Sequence, residues 1–195
     1  LRRTAGGQGS YDVIVIGSGF AGLAAAAEAK RSGAGSVIVL EKMPTPGGNS
    51  IINGGIISVP GNAIQKSMGV KDSAQLLAED MLREGQGLNY PEKVKTVADA
   101  AYDTWQWTVK ELGVEYITDH IGQEGGHSVP RFMYTKNGSG SEIVNKELAY
   151  LKKEGVPVRL RCYVETILRD EGGRVKGLRV REGWRFPKAG SGRVK

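Results

Sequence analysis

With 195 residues the chain has room for one ordinary domain. Hydrophobic residues at 39% and charged residues at 25% exclude a disordered chain; no apolar run is long enough for a membrane span, and the N-terminus does not read as a signal peptide. The net charge of +6 owes much to late arginines (Arg159, Arg161, Arg169, Arg174, Arg179, Arg181, Arg185) that read as a solvated face, so nucleic acid is excluded as a partner and a small anionic substrate or an acidic partner accounts for the sign.

Leu1–Ser10 is polar, basic and glycine-rich, as in a flexible arm or linker, and residues 11–195 are expected to form the folded part. Val13–Ile16 is the apolar run of a buried parallel strand. Gly17, Gly19 and Gly22 follow with G-x-G-x-x-G spacing: the first makes the tight turn, the second lets backbone approach a pyrophosphate, and the third lets helix and strand pack closely. The small residues Ala24–Ala27 and Ala29 continue as a helix whose N-terminal amides and dipole suit an anion. A second strand, Val37–Leu40, ends in Glu41, whose carboxylate is placed to accept from both hydroxyls of an adenosine ribose. That same charge repels a 2′-phosphate, which favours FAD or NAD over NADP. Strand, glycine loop, helix and acid agree, so this is a dinucleotide fingerprint and not a bare glycine triplet.

Met43–Asn62 reads as a loop, and its glycine pairs Gly47-Gly48 and Gly54-Gly55 suit backbone packed against a flat ligand. Asp72 and Ser73 cap a helix through Glu84, and Pro91 opens a longer one to Leu112 that Gly113 stops. On that helix Trp105 and Trp107 point about 200° apart, one toward the core and one toward a neighbouring element. Glu115–Thr118 is a short strand candidate. Gly122–Gly140 reads as a polar loop carrying His127 and Arg131, the local candidates for polar chemistry, of which the histidine reads as structural. A helix from Ser141 to Glu154 precedes strands at Val156–Leu160 and Tyr163–Leu168. Glu171-Gly172-Gly173 is then a hairpin turn, and Arg174–Arg181 is the returning strand. Trp184–Phe186 and Arg193–Lys195 read as the start of further pieces of a meander. The single cysteine, Cys162, excludes an internal disulfide and a cysteine-rich metal site, and reads as a small buried residue.

Four stretches together resemble the FAD-binding domain of the fumarate reductase and succinate dehydrogenase flavoprotein superfamily: the fingerprint, Glu41 to Ser50, Asn53-Gly54-Gly55, and the helix start Gly138 to Ile143. The soluble flavocytochrome c-type fumarate reductases are the nearest in kind, and 3-ketosteroid dehydrogenases are more distant relatives. The resemblance covers residues 11–182. It implies an α/β, Rossmann-like FAD-binding domain with a parallel sheet, a helical insertion and an antiparallel β-meander. It also implies FAD contact through Gly17, Ser18, Gly19, Phe20, Ala21 and Gly22, through Glu41 and Lys42, and through Gly47, Gly48, Asn49 and Ser50. Asn53, Gly54, Gly55 and Ile56 would face the flavin, with Gly54 and Gly55 leaving the ring unobstructed. The backbone of Val164 would lie beside the adenine on a parallel strand.

Membrane-bound members of that superfamily tether FAD through a histidine in the segment that here runs Asn49–Asn53. No histidine stands there, so the resemblance implies non-covalent FAD. The implied reaction is flavin-dependent reduction of an activated C=C bond, as in fumarate reduction, or the reverse dehydrogenation. The superfamily's substrate-clamping domain, its arginine relay and its Ala-Thr-Gly-Gly segment do not occur in these residues. No catalytic residue is therefore assigned. The chain is expected to be a truncated, N-terminal part that works with its C-terminal half or a second polypeptide, and with a haem or other electron-donor domain. The alternative reading is a non-catalytic subunit that holds FAD for a partner chain. A plain NAD dehydrogenase would give Gly47 to Ser50 no role. The soluble relatives suggest the bacterial periplasm.

Overall fold

The computed structural model describes residues 9–186. These divide into two units, one running up to Ile51 and resuming at Glu147, the other Ile52–Lys146. Most of the predicted arm and the predicted piece at Arg193–Lys195 lie outside the described residues.

In the first unit, β1 (Val13–Ile16) and β2 (Val37–Leu40) pair in parallel, Val13 opposite Val37 through Ile16 opposite Leu40. Their mostly β-branched side chains suit a pleated surface, and every residue of the central β2 is buried; β1, expected to be buried, is corrected to half-buried with Ile16 exposed, because it lies at the edge of the sheet. A third parallel strand, β5 (Val158–Arg159), lines the other side of β2, which gives the order β1-β2-β5. The crossover between β1 and β2 is α1 (Phe20–Arg31), with Leu23, Ala26 and Ala27 buried. A Cβ on Gly22 would stand 2.1 Å from the Gly17 carbonyl oxygen, so only glycine lets the helix start this close to the turn after β1.

The strands β6 (Tyr163–Arg169) and β7 (Val175–Arg181) form an antiparallel hairpin. Its turn is closed by Gly173 N–H on the Asp170 carbonyl (2.9 Å) and Arg174 N–H on Asp170 Oδ1 (2.9 Å). Val164, Leu178 and Val180 from this hairpin pack on Ile38, Leu40 and Cys162. Cys162 is buried as expected, and burial pushes its thiol pKa up. Two expectations are corrected here. Val164 pairs with Val180 in an antiparallel ladder and not on a parallel strand. The expected strand Val156–Leu160 is reduced to Val158–Arg159, because the chain must turn before joining β6. Trp184 does not open another strand: its amide donates to Arg161 O (2.9 Å) and its ring stacks on Tyr163 at 4.5 Å.

In the second unit, β3 (Ile56–Ser58) and β4 (Phe132–Tyr134) pair antiparallel, Ile56 opposite Tyr134. Both lie in segments that read as loops, because three-residue strands leave no alternation to detect. The Glu115–Thr118 candidate is a single bridge between Tyr116 and Thr135. A short helix absent from the sequence reading, α2 (Ala63–Ser67), starts with a capping box between Asn62 and Gln65, both fully buried. The longer helices are as expected: α3 (Ala74–Glu84) is capped by Ser73, and α4 (Pro91–Trp107) has Pro91 at its first position. Thr108–Leu112 winds as a π-helical turn and ends at Gly113 in the left-handed region (φ 72°). Trp105 and Trp107 are both half-buried, so neither is the fully enclosed core residue expected of one of them.

The boundary between the units falls within α5 (Ser141–Lys153). Its buried positions Ile143, Val144, Glu147 and Leu151 recur at helical spacing. Glu147 is the exception to this apolar stripe, and its Oε2 has no hydrogen-bond partner.

Candidate nucleotide-binding site

The turn after β1, the N-terminus of α1 and the loop after β2 meet at one end of the parallel strands. Gly17 N–H donates to Leu40 O (2.8 Å), which holds the glycine turn beside the end of β2. Gly17 has φ +98° and nothing within 4 Å of where a Cβ would be, so its conformation, not crowding, calls for glycine there. Gly19 is the N-cap of α1; it offers no side-chain cap, and the first turn contains no acidic residue. Phe20 N–H is taken by Ser50 Oγ (3.0 Å), which ties Ser50 to the helix start. No acidic residue of α1's own first turn compensates its positive end, which suits a phosphate group.

Glu41 lies at the centre of the cluster. Its backbone is pinned on both sides, N–H to Arg159 O and carbonyl to Cys162 N–H, each at 2.8 Å. Its buried carboxylate accepts three hydrogen bonds: from Ser18 N (2.9 Å) and Ser18 Oγ (2.6 Å) on Oε2, and from Met43 N (2.7 Å) on Oε1. Burial alone would raise its pKa, but the Ser18 and Met43 bonds outweigh it and hold the carboxyl below its ordinary range, hence charged. Ser18, fully buried, also accepts from Gly47 N (3.0 Å), so fingerprint, acid and Gly47 loop are one connected structure. Gly48–Ile51 winds as a 3-10 turn and leaves Gly48 and Asn49 exposed; Lys42 and Ala21 are exposed as well. Val164, half-buried on β6, belongs to the same unit.

The remaining predicted contacts, Asn53, Gly54, Gly55 and Ile56, belong to the second unit. There Asn53 Oδ1 accepts from Gly55 N (2.7 Å), Asn53 O from Gly140 N (2.9 Å), and Gly55 O from Thr135 N (2.9 Å). A Cβ on Gly55 would stand 2.1 Å from Thr135 Oγ1 and 2.6 Å from the Ser139 carbonyl. Protein packing therefore calls for glycine at this position by itself. Gly54 is different: it is exposed, and its Cβ would meet only Ile56 at 3.7 Å.

Arg161 was not singled out in the sequence. It adopts φ +55°, held by its amide on Met43 O (3.1 Å) and its carbonyl under Trp184 N–H (2.9 Å). No sequence signal marks such a position, because left-handed backbone is ordinarily read from Gly or Asn. His127 and Arg131 lie elsewhere, in a buried ionic knot with Asp72 and Asp80, so the histidine is structural. Burial and the adjacent guanidinium hold its pKa down. Among the described residues no group of His, Cys, Asp and Glu is arranged to hold a metal ion, and no helix is long and apolar enough to cross a membrane. A cavity of about 530 Å³ lies between the parallel sheet and the β6–β7 hairpin, lined by Tyr11, Ile14, Ile38, Leu40 and Leu178 among others. None of the predicted contact residues lines it.

The family model described as "FAD binding domain" matches residues 12–193. The chain is 42% identical to the acrylate reductase flavoprotein subunit of Shewanella woodyi, over 94% of this chain and 36% of that protein. A flavocytochrome c3 fumarate reductase, solved in an open conformation, superposes with a TM-score of 0.82 at 31% identity, covering 90% of this chain and 31% of the other. A 3-ketosteroid-Δ4-(5α)-dehydrogenase from Rhodococcus jostii superposes with a TM-score of 0.79 at 24% identity, which shows a shared fold. The chain thus spans about a third of the length of the first two proteins.

Proposed function

The chain belongs to the FAD binding domain family, and from that premise we propose that it holds FAD non-covalently as the cofactor-binding part of a reductase acting on C=C bonds conjugated to a carboxylate. The observation that carries the cofactor assignment is the acid-free first turn of α1, preceded by Ser18, which joins it to Glu41 and Gly47. In this reading the amides of Gly19, Ala21 and Gly22 receive the pyrophosphate, with the exposed Gly48 and Asn49 alongside. Glu41 receives the adenosine ribose. Lys42 and the Val164 backbone flank the adenine.

Non-covalent binding is supported by residues 49–53, which contain no histidine or cysteine. FAD, when bound, supplies a two-electron carrier. The chain's own part is to bind and orient it: Ser50 is held to the start of α1, and Glu41 has the charge to reject a 2′-phosphate. The likeness to acrylate and fumarate reductases supports the substrate class. Arg131 is committed to two carboxylates and is not free to bind a substrate anion. We therefore assign substrate binding and proton delivery to further polypeptide, a continuation or a partner, with a haem or other donor bringing electrons.

The test is the absorption spectrum of the purified chain after incubation with FAD and gel filtration, followed by acid precipitation. Flavin bands in the protein fraction and intact FAD in the supernatant are the expected result. Protein that stays colourless would sink the cofactor assignment, and flavin that stays with the precipitate would sink the non-covalent one. For the reaction, reduced flavin in the longest natural form of the protein should be reoxidised by acrylate or fumarate and not by the saturated acids.

A further inference from the structure

Beyond cofactor binding, we propose that Asn53-Gly54 is a self-modifying site, at which the Gly54 amide attacks the Asn53 side chain and turns it into aspartate or isoaspartate. The sequence holds two Asn-Gly pairs, Asn53-Gly54 and Asn137-Gly138. Glycine favours this reaction because no Cβ hinders ring closure through its nitrogen. Residue type does not separate the two pairs; their hydrogen bonds do.

The step needs an unengaged nitrogen, an oriented carbonyl carbon and an amide able to leave. Asn53 and Gly54 are exposed, and among the described residues neither the Gly54 N–H nor Asn53 Nδ2 donates a hydrogen bond. Asn53 Oδ1 accepts from Gly55 N (2.7 Å), which folds Cγ back over the Asn53-Gly54 peptide. Gly55 is a firm support, since it is buried and its carbonyl accepts from Thr135 N (2.9 Å). Asn53 O is likewise held by Gly140 N (2.9 Å). Water takes the Gly54 proton, the N–Cγ bond forms, and negative charge gathers on Oδ1, where the Gly55 amide already points. The Cγ–Nδ2 bond then breaks, and Nδ2 leaves as ammonia with the proton that water returns. A second water opens the succinimide at either carbonyl. The net change is amide plus water to acid plus ammonia, with no oxidation or reduction.

Asn137 is exposed too, but it is engaged where Asn53 is not. Gly138 N donates to Thr135 O (2.9 Å), so the attacking nitrogen must first give up a bond. Asn137 Nδ2 donates to Ser141 Oγ (3.3 Å), and its Oδ1 accepts from both Ser139 N (3.0 Å) and Thr135 Oγ1 (3.3 Å).

The experiment incubates the full chain in mildly alkaline buffer and follows both Asn-Gly peptides by mass spectrometry, with isoaspartate scored by enzymatic methylation. Asn53 should convert about tenfold faster than Asn137, the effect of one hydrogen bond that the slower pair must break. In urea, where neither pair keeps its partners, the gap should nearly close. Gly54→Ala adds a Cβ that meets only Ile56, at 3.7 Å, so the chain should fold, and Asn53 should slow to the rate of Asn137 or below. Equal rates in the folded chain, faster conversion at Asn137, or a gap that persists in urea would overturn the proposal. An unchanged rate in Gly54→Ala would overturn it too. None of these outcomes depends on whether the chain binds FAD.

Discussion

Arg131 and Asp72 meet side on, Nε to Oδ2 at 2.9 Å and Nη2 to Oδ1 at 2.8 Å, with neither side chain exposing any surface. The third arm of the guanidinium, Nη1, reaches Asp80 Oδ2 at 2.6 Å and His127 Nδ1 at 2.7 Å. One arginine thus ties the residue before the Ser73 cap of α3, and α3 itself, to the segment that enters β4. Arg131→Met should cost about 3–5 kcal/mol in urea unfolding, because it strands two buried carboxylates. A loss under about 1 kcal/mol would mean that water reaches the knot.

The same knot sets an acid limit. Burial pushes Asp80 up, but bonds from Ser128, Arg131 and Arg83 outweigh it and hold the carboxyl far below its ordinary value of 3.8. Its folded pKa is depressed, so its contribution is present above pH 3.8 and is lost as the pH falls through that value toward the folded one. Asp80→Asn should flatten the loss of stability below about pH 4. Wild-type and variant melting curves that stay parallel from pH 5 to pH 2 would contradict this.

Glu147 works in the opposite sense. Burial in the apolar stripe of α5 pushes its pKa up from 4.5 to about 8. The unfolded chain releases this proton near 4.5 while the folded chain keeps it, so stability falls as the pH rises from 4.5 through 8 and then levels off. The shift corresponds to on the order of 5 kcal/mol. Glu147→Leu should remove the slope, with the largest gain over the wild type above pH 8. Chemical unfolding at pH 5, 7 and 9 checks it, and a gain independent of pH would point to packing alone.

Two glycines of the fingerprint should separate fold from ligand. Gly22→Ala sets a methyl 2.1 Å from the Gly17 carbonyl oxygen, where only backbone can give way, and should cost about 3 kcal/mol. Gly19→Ala meets Ser50 Oγ at 3.2 Å from a backbone (φ −73°) that alanine adopts freely, so stability should stay within about 1 kcal/mol. FAD affinity should nevertheless drop, because the methyl stands where backbone must approach the pyrophosphate. Thermal melts and flavin titrations of both variants decide it; equal stability losses would sink the distinction.

Arg161 holds its backbone at φ +55°, which a non-glycine residue adopts at a cost of about 1 kcal/mol. Arg161→Gly should therefore raise stability by roughly 0.5 kcal/mol, after glycine's larger entropy loss is deducted. A lower melting temperature would show that the exposed arginine makes a contribution its backbone conceals.

The sequence by itself determined the local units. Val13–Ile16, three spaced glycines, a run of alanines and Glu41 specify strand, turn, helix and acid within about thirty residues, since each depends only on near neighbours. The caps at Ser73 and Pro91 and the stop at Gly113 were legible for the same reason. Only the tertiary structure decided what depends on partners far along the chain. Ile56–Ser58 becomes a strand because Phe132–Tyr134 comes to lie beside it. Val164 runs antiparallel because β7 returns over Ile38 and Leu40. Gly55 is glycine because Thr135 and Ser139 close on it, and two lone pairs of Glu41 are already held by Ser18. Residue type lists what a group can bind; folding decides which of those capacities the protein spends on itself, since every buried donor and acceptor must find a partner.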